Sequence, residues 1–348
     1  MRVLYLSPGH HAHDDRFVEA ITAVGHEPVL STAALARPED VARILAQVRP
    51  DIVHAGPLEP IARLAAEAGA RPLVAMSWGF DLLRDAQGPA RERIAWTLGQ
   101  VDALLVDCEA AAAVATRMGM PPGRIFRLPW GVDLTRFRPL SCFAAAAWRR
   151  RMGWEEAVVV VSARAHEQLY GIDVVIDGFA AAAASLPELR LLVLGDGHLT
   201  PRLRAYANER CPAGRVVFTG RVPNSELAEH LGGADIYVAA SHVDGSSVTL
   251  LEAMAVGLPV VVSDIPGNRE WVEPGFNGLL FPVADAPALA SSIVELGGDS
   301  ATRAAMGAHG LAVVEARADW QKNRLILSPL YRVAASAAAE RPQAAERP

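Results

Sequence analysis

Two carboxylates, Asp244 and Glu252, stand eight positions apart in the stretch DGSSVTLLE, with Gly245, Ser246 and Ser247 directly after the first. A small-residue loop turning into a helix presents unsatisfied backbone N–H groups at the positive end of the helix dipole, where phosphate binds well. The same serines also suit a plain helix cap, so phosphate binding and capping both fit. Gly257 marks the end of the helix. Glu252 is harder to accommodate, because Leu250, Leu251, Ala253 and Met254 surround it in sequence. A carboxylate buried among such neighbours is costly unless donors satisfy it. The vicinal hydroxyls of a sugar can do this, and so can an arginine from another helix. A further candidate is Arg164, which ends the apolar run AVVVVSAR and brings a permanent positive charge to a strand end.

Composition removes several chemistries. Lys322 is the only lysine in 348 residues, which argues against a P-loop, with its lysine beside the glycines, and against a Schiff-base enzyme, with its lysine in a pocket. Cys108, Cys142 and Cys211 are odd in number and far apart, which fits a reducing cytoplasm and neither a disulfide framework nor a zinc site. A net charge of −6 argues against nucleic-acid partners. No apolar stretch reaches membrane-spanning length, and MRVLYLSP lacks the features of a signal peptide.

The elements that must position these residues are short apolar strands alternating with helical segments. The first half carries RVLYLSP, HEPVLST, DIVHAG, PLVAMSW, ALLVDC and IFRLPW; the second carries AVVVVSAR, LRLLVLGD, VVFTG, IYVAAS, PVVVSD and GLLFPV. This alternation predicts α/β architecture: two doubly wound, Rossmann-like domains with parallel sheets and a deep cleft between them. Ligand loops then lie at the carboxyl ends of the strands. The expected domains are residues 1–140 and 141–318, followed by a helix over 319–334 that crosses back to the first domain. Pro329 should kink that helix. Residues 335–348, rich in Ala, Glu, Arg and Pro, read as a disordered tail.

With these residues in place, the chain resembles a GT-B-fold retaining glycosyltransferase of family four (glycosyl transferases group 1). The resemblance rests on D-GSSVTLL-E-AMAVGLPVVVSD, flanked by GRVPNSELAEHLGGADIYVAAS and IPGNREWVEPGFNGLLF, and extends from Met1 to about Arg332. It implies that Glu252 holds the ribose of a sugar nucleotide and Asp244 the sugar hydroxyls. Ser246, Ser247 and Val248, with Gly245, would meet the diphosphate, and the backbone near Val222 the base. Arg164 matches the arginine that neutralises the diphosphate, and Gly9 a close-approach loop on the acceptor side. Three departures stand out. Asp244 replaces a glutamate, Trp78 in SWGFDLL replaces a histidine, and Tyr170 in EQLYGID takes the place of a second basic residue.

The implied activity is cytoplasmic transfer of a sugar from a UDP- or GDP-linked donor with retention of configuration, by front-face attack. No Asp-x-Asp motif is present, so neither a metal nor another cofactor is expected. The acceptor is a small molecule, a lipid-linked species or a glycan. Two alternatives also fit the sequence: a non-catalytic sugar-nucleotide-binding partner subunit, and a GT-B sugar-nucleotide epimerase. HHAHDDR (10–16) offers histidines and aspartates without a firm metal-ligand spacing, and an acceptor-binding loop or plain exposure suits it better. PARERIAWTLGQ is weakly basic and amphipathic, as a peripheral membrane contact would require, with thin charge for that role.

Overall fold

The computed structural model describes residues 1–10, 12–32 and 35–340. The chain forms two compact units, Met1–Pro129 together with the chain from Gln321 onward, and Trp130–Trp320. Each is built around one six-stranded parallel sheet.

In the first unit the strands are β1 (Arg2–Leu6), β2 (Glu27–Ser31), β3 (Ile52–Ala55), β4 (Leu73–Met76), β5 (Ala103–Val106) and β6 (Ile125–Arg127). Their spatial order is β2-β1-β3-β4-β5-β6. Pro28, which cannot donate to a ladder, lies in β2 at the sheet edge, where that loss is tolerated. Register pairs Tyr5 with His54, so the two-residue period sends both to one face while Leu4, Leu6, Val53 and Ala55 join an aliphatic core on the other. Tyr5 stacks on Phe17 at 5.5 Å, and His54 meets both rings edge-on. The terminal helix Leu327–Glu340 covers this face, where the Tyr331 hydroxyl and His54 Nδ1 lie 2.9 Å apart. Burial pushes His54 down to about 3, so it is neutral in the folded unit.

The second unit holds β7 (Val158–Ala163), β8 (Leu189–Leu194), β9 (Val216–Gly220), β10 (Ile236–Ala239), β11 (Val260–Ser263) and β12 (Gly278–Phe281), in the order β12-β11-β10-β7-β8-β9. β10 and β11 are buried along their whole length and β7 along nearly all of it, as the unbroken β-branched runs predict for a sheet covered on both faces. Strand order reverses between β7 and β10 here, and between β1 and β3 in the first unit. In open α/β sheets such reversals open a crevice at the carboxyl edge, where ligands bind.

The units divide earlier than the expected 140/141. The segment GVDLTRFRP has loop composition, yet it is pinned into the second unit: Val132 N–H donates to the Ala318 carbonyl at 2.7 Å, Trp320 N–H to the Val132 carbonyl at 3.1 Å, and Phe137 enters the core beside Trp148. The terminal segment does not kink at Pro329. A short turn at Arg324–Ile326 precedes a fresh helix, and Pro329 falls in its first turn, where a missing N–H costs little. Residues 335–340, expected in a disordered tail, continue that helix; 341–348 lie outside the described residues.

Candidate active site

The loops after β7 and β10 flank the strand-order reversal of the second unit and are fastened together. Gly171 adopts φ +58°, and a Cβ there would fall 2.3 Å from the Ala240 carbonyl oxygen, so only glycine allows this approach. Close by, His242 N–H donates to the Leu169 carbonyl at 2.9 Å. A second close approach underlies the DGSS loop, where a Cβ on Gly267 would stand 2.1 Å from the Gly245 carbonyl oxygen.

Arg164 lies at the centre of this seam. Its guanidinium donates to Asp244 Oδ2 at 2.5 Å, to Ser247 Oγ at 2.6 Å and to Thr249 Oγ1 at 3.3 Å. The Arg164 and Asp244 side chains are only 9% and 16% exposed, which makes the pair largely desolvated. Burial raises the Asp244 carboxyl from its ordinary range, while Arg164 and the Gly245 N–H work in the opposite direction. Burial likewise opposes the Arg164 charge, but Asp244 holds the guanidinium above its ordinary value. One donor, Nε–H, is buried with no acceptor.

Thr249 connects this pair to the sheet. Its hydroxyl lies 2.9 Å from that of Tyr237, a fully buried residue of β10. Burial raises the Tyr237 hydroxyl, Arg164 and Thr249 lower it, and both Asp244 and Glu252 raise it further, so the two carboxylates act on one buried hydroxyl. Glu252 is itself buried, one turn into the helix Val248–Ala255. Ser247 serves as that helix's cap, accepting from Leu250 N–H, and also accepts from Arg164; capping and site chemistry thus share one hydroxyl. The Ser246 hydroxyl accepts from Trp271 Nε1 at 3.3 Å.

Arg164, Tyr170, Asp244, Gly245, Ser246, Ser247, Val248 and Glu252 therefore fall on the β7 and β10 loops and the helix that follows. Val222 follows β9, on the same carboxyl edge two strands from β7. Gly9 lies in the other unit, after β1, at that unit's own strand-order reversal. The Tyr170 ring lies against the Arg164 guanidinium, with Cζ 4.1 Å from the ring centroid. Sequence reasoning missed Thr249 and Tyr237. The signal for Thr249 was a hydroxyl two positions after the cap, on the helix's first turn.

In the first unit Asp81 is fully buried and accepts from Ser77 Oγ at 2.5 Å, Leu58 N–H at 3.0 Å, Leu82 N–H at 2.9 Å and Trp78 N–H at 3.3 Å. Four donors make it a structural carboxylate that fixes the SWGFDLL turn. His10 Nε2 and Asp15 Oδ1 lie 2.9 Å apart on the surface. His11 is outside the described residues, and among those described no group of three or more His, Cys, Asp or Glu side chains is gathered as a metal site. No helix among the described residues is long and apolar enough to cross a membrane.

Residues 156–299 match the model of glycosyl transferases group 1, and residues 2–136 that of Glycosyltransferase Family 4. The chain is 30% identical over 264 residues, covering 74% of it and 69% of the relative, to the GDP-mannose-dependent alpha-(1-6)-phosphatidylinositol monomannoside mannosyltransferase of Mycolicibacterium smegmatis. It is 29% identical over 276 residues, 77% of this chain and 71% of the relative, to the corresponding monoacylated phosphatidylinositol monomannoside mannosyltransferase of Corynebacterium glutamicum. Among solved structures, Anabaena HepE in complex with UDP-glucose superposes with a TM-score of 0.82 at 18% identity, over 95% of this chain and all of that one. Sucrose-phosphate synthase from Thermosynechococcus elongatus gives 0.76 at 20% identity, over 95% and 98% of the two chains. The chain belongs to the family-four, group 1 glycosyltransferases, and is a glycosyltransferase of GT-B fold.

Proposed function

We propose that this enzyme moves a sugar from a nucleotide diphosphate donor to an acceptor hydroxyl with retention of configuration and without a metal ion. The observation that carries the proposal is Arg164, held by Asp244, Ser247 and Thr249 at the strand-order reversal between β7 and β10. A fixed cation beside the first turn of a helix stabilises the charge that grows on a leaving diphosphate, and it costs no reorganisation when the bond breaks.

In this proposal Glu252 accepts from the ribose hydroxyls, Asp244 from the sugar, and the amides of residues 246–248 donate to the phosphates. The loop at Val222 borders the base. Successive strands stand about 4.8 Å apart, so the edge from β10 to β9 spans roughly 14 Å, room for sugar, diphosphate, ribose and base in succession. The acceptor oxygen bonds to the anomeric carbon on the face the diphosphate leaves. The electron pair of the breaking C–O bond passes to the phosphate oxygen, and that oxygen takes the acceptor's proton. No protein nucleophile is required, and catalysis is positioning plus electrostatics.

The names of the relatives favour GDP-linked mannose as donor and a lipid-linked acceptor. A lipid acceptor is reached at a membrane surface from the cytoplasmic side. Helix Arg91–Gln100, with Trp96 44% exposed beside exposed Arg91 and Arg93, would suit peripheral contact there. A thermal-shift screen of GDP-mannose, UDP-glucose and the free diphosphates tests the donor, because a ligand at a hundred times its Kd adds roughly 2.7 kcal/mol. Stabilisation by GDP-mannose and GDP above the uridine series is expected. Silence from every nucleotide would defeat the proposal.

A further inference from the structure

We propose that Tyr170 is a positioning residue that acts through Arg164, its ring clamping the guanidinium in the orientation that a leaving diphosphate needs. The inference rests on the assignment of Arg164 to the diphosphate. Two of the three guanidinium nitrogens are already engaged, and the third is buried. NH2 is held by Asp244 and NH1 by Ser247 and Thr249, and Nε–H is buried. A planar cation so held still has two open faces, and Tyr170 covers one of them, 4.1 Å from Cζ to the ring centroid. Arginine over an aromatic face is attracted by the ring quadrupole, most strongly where water is excluded.

The ring is delivered by a rigid segment. Tyr170 ends the short turn Gln168–Tyr170, immediately before Gly171, whose backbone abuts the Ala240 carbonyl. Leu169, just before it, accepts from His242 N–H. The loop that carries the ring is thereby tied to the loop that carries Asp244, and Arg164 is gripped by a face on one side and a carboxylate on its edge. A second basic side chain at position 170 would add charge to the phosphates. Tyrosine adds none, and instead fixes the direction of the one charge present. The useful part of the residue is the ring, and the hydroxyl is dispensable.

The test uses the full chain, with GDP-mannose and UDP-glucose turnover and GDP and UDP titration as readouts. Tyr170→Phe keeps the ring and should lower kcat by less than threefold. Tyr170→Leu removes it and should lower kcat roughly tenfold, with donor KM changed less, as expected for a cation–π contact that orients a transition-state group. Tyr170→Gln, polar and of similar reach, gives the same reading if the leucine variant fails to fold. Arg164→Ala supplies the second axis: in that background Tyr170→Leu should cost no more than about twofold further, since its target is gone. Tyr170→Phe as damaging as Tyr170→Leu would overturn the proposal, because the hydroxyl would then be what matters. An undiminished effect of Tyr170→Leu in the Arg164→Ala background would overturn it too, with the diphosphate assignment left intact. Arg164→Ala with normal turnover would remove that assignment and the positioning role together.

Discussion

Arg164→Ala is the perturbation with the largest calculable consequence. Arg164 and Asp244 are 9% and 16% exposed and joined at 2.5 Å, so removing the arginine strands a desolvated carboxylate. Breaking a buried pair from one side costs about 3–5 kcal/mol, which at roughly 2–4 °C per kcal/mol for a unit of this size lowers the melting temperature by about 10 °C. Neutralising the stranded partner should return part of that loss, so Arg164→Ala/Asp244→Asn is expected to melt above Arg164→Ala alone. Turnover should fall about a hundredfold or more in both, on the scale of removing one oxyanion donor, because both lack the cation proposed to stabilise the leaving phosphate. Urea titration gives the stability term, and turnover at saturating donor, well below the melting point, gives the chemical one. Turnover near wild type in the single variant would refute the role of Arg164. A double variant no more stable than the single would show that the pair is not energetically coupled.

Glu252→Gln should weaken GDP or UDP along with the full donor, because each carries the ribose, whereas Asp244→Asn should spare the free diphosphate and impair transfer. Calorimetric titration decides, and equal losses in both variants would break the proposed division of labour. Stability should be acid-sensitive through His54. Its folded value is depressed to about 3 against about 6.5 unfolded, so the unfolded chain binds the extra proton as pH falls below 6.5 and stability drains away in that direction. That single group accounts for about 2 kcal/mol between pH 7 and pH 5. His54→Leu should flatten the pH dependence of urea unfolding by that amount, and an unchanged slope would exclude His54 as its source.

Much of the fold was legible because parallel strands buried on both faces are written as unbroken β-branched runs; VVVVSA, IYVA and VVVS each became a strand of the second sheet. The helix carrying Glu252 was legible too, from a serine cap at one end and Gly257 at the other. The parts that escaped depend on distant partners. Tyr237 reads as core in IYVA, and only the register of β10 against the following helix reveals that its hydroxyl meets Thr249. The stacking of Tyr170 on Arg164 depends on a loop fixed by Gly171 and His242. Residues 130–137 look like a linker, yet their bonds to residues 318 and 320 assign them to the second unit. Residues 335–340 were misread because a biased Ala-rich composition looks disordered, although alanine is also the strongest helix former.

The most direct test is the anomeric configuration of the first sugar released from GDP-mannose or UDP-glucose, followed by proton NMR before mutarotation, in buffer containing EDTA. We expect turnover to survive the chelator and the initial product to carry the donor's α configuration. A β product, or activity abolished by EDTA and restored by magnesium or manganese, would contradict metal-independent front-face transfer.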